Sequence, residues 1–108
     1  MSTAIDPSAL TRVLDMAGGD RSFVVEIIDE YLADSSRLLA SLREASGDEL
    51  RRAAHSLKST SASVGAVRLA ELCAEVERAG AEPAVVSEAE HEHAAVRAAL
   101  EERRVAFS

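Results

Sequence analysis

Apolar residues recur along this chain at the three- and four-residue spacing of an amphipathic helix, and caps, prolines and glycines divide them into five segments. Asp6 followed by Pro7 reads as an N-cap with proline at the first helical position, and Gly18-Gly19 closes the segment. A short first helix is therefore expected over about residues 7 to 17. Asp20 caps a long second helix over about residues 21 to 45, whose apolar set is Phe23, Ile27, Ile28, Tyr31, Leu38, Leu39 and Leu42. Asp48 is expected to cap a third, which runs to about Val64 ahead of Gly65, a residue suited to the left-handed turn after a helix. The fourth spans Ala66 to Ala79, carries Leu69, Leu72, Cys73 and Val76 on one face, and stops at Gly80. Pro83 opens a fifth that reaches Val105, with the weaker set Val85, Val86, Ala89, Val96 and Leu100.

No period-two alternation competes with these helices, and short connections force consecutive helices to pack as antiparallel neighbours. The expected fold is all-α: an up-and-down antiparallel four-helix bundle from the last four helices, with the short first helix over one end. At 108 residues, with no repeat, linker or low-complexity segment, the chain reads as one domain spanning residues 1–108.

Composition sharpens this picture. Hydrophobic residues make up 47% but aromatics only 3%, so the core must be built from Ala, Leu, Val and Ile. A net charge of −7 and the absence of any basic run oppose binding to nucleic acid or to an anionic membrane. No leader pattern and no apolar run of spanning length is present, so a cytoplasmic protein is expected. The single cysteine, Cys73, excludes an internal disulfide and lies in an apolar stripe, which suits a small core residue better than a reactive thiol.

The third helix carries the candidate chemistry. On a wheel of about 100° per residue, Leu50, Ala53, Leu57 and Val64 fall within about 40° of one pole and His55 stands at the other. His55 is therefore expected at the centre of the solvent-facing stripe. Its neighbours there are Arg51, Arg52, Lys58, Ser59 and Ala62. The small residues let another protein approach the ring, and the cations balance a dianion attached to it. Lys58 is the only lysine against eleven arginines, and it stands one turn from the histidine. An exposed imidazole is a competent nucleophile near neutral pH, and nothing beside it in sequence forms a triad. Taken from the residues alone, the stripe fits a covalent acceptor, a docking site or an ordinary solvated histidine.

The stretch Ala54, His55, Leu57, Lys58, Ser61, Ala62, Val64, Gly65 and Ala66, followed by Leu69, Ala70, Cys73, Val76 and Glu77, resembles the motif of the histidine phosphotransfer (HPt) domains of two-component phosphorelays. The match covers residues 54 to 77; beyond it the resemblance rests on helix order and on Tyr31, where phenylalanine is usual. It implies that His55 receives a phosphoryl group from a receiver aspartate or a kinase and passes it to another receiver, with Lys58 supporting the phosphate's charge. The partners implied are response-regulator receiver domains and a sensor or hybrid histidine kinase. The chain itself is expected to need no cofactor and no metal, Mg²⁺ belonging to the receiver.

Ser59 departs from the usual glycine; its hydroxyl is a candidate to hold the imidazole Nδ1, or else it crowds the site slightly. The docking surface implied takes in Leu10, Val13, Phe23 and Ile27, with Arg51, Arg52, Ala62 and Glu77 as further partner-facing positions. The start at Met1 favours a free-standing carrier, expected to be a monomer.

Other features carry less. His91 and His93 point about 200° apart on a helix, so they cannot share a metal and read as a solvated face. Acidic pairs such as Asp29-Glu30 read as solvated charge. No glycine-rich phosphate loop is present, which argues against an ATP-using kinase. The rival functions are a helical binding module that docks the same partners without carrying phosphate, and, less well supported, a helical-bundle enzyme or metal protein.

Overall fold

Two aspartates begin the first two helices. The Asp6 carboxylate accepts from the Ser8 amide at 3.0 Å, and that of Asp20 accepts from the Ser22 amide at 3.0 Å, so each satisfies a backbone donor that a helix start leaves without a partner. The computed structural model describes residues 4–108, so Met1 lies outside the described residues. The elements are α1 (Pro7–Met16), α2 (Arg21–Glu44), α3 (Gly47–Ser63), α4 (Val67–Ala79) and α5 (Pro83–Phe107), with no strand among the described residues. Helix α2 packs on α3 and α5, and α4 packs on the same two, which closes the antiparallel bundle; α1 packs on α2.

The core is aliphatic, as the shortage of aromatics requires. Leu10, Ile28, Leu42, Leu57, Leu69 and Leu100 are the largest fully buried side chains. Each contributes about 1.5 to 3 kcal/mol by leaving water. Cys73 is among the buried residues, and burial pushes its thiol up to about 12, which makes it inert as a nucleophile at neutral pH.

Gly65 ties α1 to the bundle. Its backbone is left-handed, with φ at +83°, and a Cβ there would run into the backbone carbonyl oxygen of Asp6 and the side chain of Ala9. The Asp6 amide donates to the Gly65 carbonyl at 2.8 Å. Only glycine supplies both the turn and the close approach.

Three expectations change, those for Asp48, Leu10 and His93. Asp48 does not cap α3: Ser46 holds the N-cap position, and Asp48 lies within the first turn, where it meets the positive end of the helix dipole and pairs with Arg51. On α2, Val24 enters the core, while Phe23, one of the positions expected on the docking surface, is 41% exposed. Leu10, expected on a docking surface, is 1% exposed and belongs to the core, because α1 turns that side of itself onto the bundle. His93 is buried rather than solvated: it crosses from α5 to α2 and shares a 2.8 Å hydrogen bond with the Ser35 hydroxyl. His91 remains exposed, as the angle between the two residues requires.

The buried side-chain polar groups among the described residues are all matched. The Tyr31 and Ser61 hydroxyls share a 2.8 Å bond between α2 and α3, and no buried side-chain nitrogen or oxygen among the described residues lacks a partner. Salt bridges on the surface, Arg43 with Glu90 and Arg104 with Asp29, join α2 to α5. Such exposed pairs contribute little stability individually.

Candidate functional site

The inward face of α3 is formed by Ala53, Ala54, Leu57 and Ser61, all buried. That anchoring turns His55 outward, and its side chain is 62% exposed. On α4, the buried stripe Leu69, Leu72, Cys73 and Val76 faces the core, which places Glu77, one residue beyond Val76 and one turn beyond Cys73, at the edge of the interface with α3. Alanine, serine and cysteine on these faces keep the two helices close enough for one glutamate side chain to bridge them.

Glu77 joins the two residues singled out on α3. One carboxylate oxygen lies 2.9 Å from His55 Nδ1, and the other accepts from the Lys58 ammonium at 2.6 Å. The hydrogen bond from Lys58 is the main reason that the Glu77 carboxyl sits below the usual carboxylate range, and the bond to His55 adds to it. An ionised carboxylate can only accept, so the hydrogen of a neutral imidazole must be on Nδ1. Nε2 is then the nitrogen that carries the free lone pair on a ring open to solvent. No base is required to expose a nucleophile arranged in this way.

The orientation expected of Ser59 is therefore supplied by Glu77. Ser59 is exposed and its hydroxyl does not reach the ring; Nδ1 is held from the next helix. The sequence contained one signal for this contact, the position of Glu77 at the border of the α4 stripe, but nothing that pointed it at His55. The cations are less free than the wheel implied. Arg51 is paired with Asp48 and Lys58 with Glu77, whereas Arg52 is exposed and makes no ion pair among the described residues. Ala62 is exposed and keeps the face low beyond the histidine.

Of the apolar positions expected to dock a partner, Phe23 is exposed, Val13 and Ile27 are half-buried, and Leu10 is core. Met16 and Val67, at 86% and 54% exposure, add apolar surface that periodicity did not single out. Among the described residues no group of three histidine, cysteine or carboxylate side chains is placed to hold a metal ion, and no helix is long and apolar enough to cross a membrane.

Comparison with known proteins agrees with this geometry. A family model described as Hpt domain matches residues 26–106. The crystal structure of histidine-containing phosphotransfer protein B (HptB) from Pseudomonas aeruginosa PAO1 is similar along the whole length of both chains, with 100% of each covered, 29% identity and a TM-score of 0.85. No curated protein sequence matches the chain.

Proposed function

This chain belongs to the Hpt domain family and is a histidine phosphotransfer phosphorelay intermediate, and from that premise we propose that His55 is its phosphoryl acceptor and that Lys58 and Glu77 set up the transfer. The observation that carries the proposal is the shared carboxylate, which holds Nδ1 and leaves Nε2 facing outward, the nitrogen without hydrogen in the neutral ring.

In the forward step the Nε2 lone pair attacks the phosphorus of an aspartyl phosphate. The N–P bond forms, the P–O bond to the aspartate breaks, and its electron pair leaves on the carboxylate. The ring gains positive charge, and the proton on Nδ1 stays in the hydrogen bond to Glu77, whose charge offsets it. Lys58, bound to the other oxygen of the same carboxylate, would offset the charge of the phosphoryl oxygens. Reversal of the same steps passes the group to a second receiver. Such transfer is driven by positioning and electrostatics, and the Mg²⁺ that assists it belongs to the receiver.

Hpt proteins relay phosphate with kinases and response regulators. Within that class this chain acts as a monomeric cytoplasmic carrier without kinase activity of its own; the last part of this reading is supported by a sequence without a glycine-rich phosphate loop. The test is incubation with phosphorylated receiver domains, followed by analysis of the label. An acid-labile, alkali-stable phosphate is expected on the wild type and none on His55→Gln. A label retained by His55→Gln overturns the assignment. Partner binding and signalling output unchanged in His55→Gln, with no label on the wild type, leaves a docking module instead.

A further inference from the structure

Beside the acceptor lies a groove of about 250 Å³ between α2 and α3. Ile27, Tyr31 and Val64 form its apolar floor, Glu30 and Asp34 its α2 rim, and Thr60 and Ser63 its α3 rim. Thr60 and Ser63 follow His55 by five and eight residues, so the groove starts about 7 to 12 Å along the helix from the ring. A protein that buries about 800 Å² on this face covers both.

The groove is electrostatically one-sided. The Tyr31 hydroxyl is engaged with Ser61, that of Thr60 with the carbonyls of Ser56 and Leu57, and that of Ser63 with the Ser59 carbonyl. Glu30 has no ion-pair partner among the described residues, and Asp34 has only Arg37, at 3.7 Å on an exposed surface. The rim therefore presents two carboxylates, one turn apart on α2, above an apolar floor. That combination suits a long side chain with an apolar stem and a cationic head.

The groove is also continuous with the face around His55. Phe23, Ile27, Glu30 and Asp34 follow one another on a single stripe of α2, and the α3 residues Ser56, Ser59, Thr60 and Ser63 on the side of His55 towards the groove are all small. The face thus carries Arg52, which makes no ion pair among the described residues, before the histidine, and two carboxylates beyond it; Arg51 and Lys58 are already paired with Asp48 and Glu77.

We infer that this groove receives a lysine or arginine side chain from the receiver domain that docks over His55, and that Glu30 and Asp34 thereby select the partner and set its orientation. The inference rests on the phosphorelay reading above. Opposite charges at the two ends of one docking face favour a single orientation of the partner and repel receivers that place an acidic residue over the groove.

The experiment measures phosphoryl transfer between the full chain and a panel of purified receiver domains, as a function of receiver concentration and salt. Glu30→Gln with Asp34→Asn is compared with wild type, and circular dichroism verifies folding of this exposed, nearly isosteric pair. With the receiver that serves wild type best, KM is expected to rise about fivefold to tenfold with kcat unchanged, and the salt dependence of KM to weaken. Charge reversal by Glu30→Lys with Asp34→Lys should be rescued by a glutamate replacing one lysine or arginine on that receiver's docking surface. If wild type exchanges phosphate with no receiver, the phosphorelay reading fails. If wild type transfers and the neutral variant matches it in KM and salt dependence, the groove inference alone is overturned.

Discussion

Replacing Tyr31 with phenylalanine deletes one oxygen from the interface between α2 and α3, beneath the groove beside His55. Tyr31 is 4% exposed and Ser61 0%, and their hydroxyls are 2.8 Å apart. Losing the bond costs about 0.5 to 1.5 kcal/mol, and a buried hydroxyl left without a partner costs about 1 to 3 kcal/mol. Ser61 can turn to the carbonyl one helical turn back, which recovers part of this. Tyr31→Phe should therefore destabilise by about 1 to 2 kcal/mol, a fall in Tm of about 5 to 10 °C for a domain of this size. Ser61→Ala should cost at least as much, because the tyrosine hydroxyl has no equivalent local acceptor. The double variant removes both polar groups and should be less destabilised than the sum of the singles by about 1 kcal/mol or more.

Urea unfolding of the four proteins measures the cycle. Alkaline pH supplies a second check. Burial pushes the Tyr31 phenol up to about 12 against the weaker, opposite effect of the Ser61 bond. The unfolded chain releases this proton near pH 10 while the folded chain retains it, so stability falls as pH rises between about 10 and 12, by up to about 1.4 kcal/mol per pH unit. Tyr31→Phe lacks that loss, and its deficit relative to wild type should narrow above about pH 10. The Cys73 thiol adds a similar loss to both proteins from about pH 9. Additive single effects, together with parallel alkaline curves, would refute the idea that these hydroxyls depend on each other.

Glu77→Gln tests the shared carboxylate: an amide oxygen accepts from Nδ1 or from Lys58 but not as an anion from both, so phosphoryl acceptance should slow by on the order of tenfold. Nitrogen NMR of the imidazole should show hydrogen on Nδ1 in wild type and a mixture of tautomers in the variant; the same tautomer in both would remove Glu77 from its orienting role. His93 tests the acid side. Burial, with a smaller contribution from nearby Arg97, holds its imidazole below the ordinary 6.5, so the unfolded chain takes up a proton first. Stability is full above that value and falls as pH drops below about 6.5. His93→Gln, whose amide can still reach Ser35, should lack this fall in thermal melts, and curves of equal slope would contradict it.

Much of the site is legible in the amino-acid sequence. The exposure of His55 follows from a wheel because Ala53, Leu57 and Val64 leave α3 only one way to face the core, and Lys58 follows from its spacing. Glu77 was visible only as a motif position, since its contact with both residues depends on how α4 is rotated against α3. His93 falls at the helical spacing of Val86, Ala89, Val96 and Leu100, so periodicity does point it at the core, and its polar ring alone makes it read as solvated. Leu10 is decided by which side α1 lays on the bundle, which periodicity within one helix does not record. His93 also required a polar partner, Ser35, 58 residues away.

By itself, the amino-acid sequence determined the number of helices, their approximate ends, the aliphatic core and the outward histidine, because caps, glycine turns and apolar spacing act within a few residues of chain. The tertiary structure alone decided which nitrogen of His55 is held, which cations keep a free charge, and where a groove opens beside the acceptor. Those features are set by the rotation and register of one packed helix against another, which only the packing of the whole core determines.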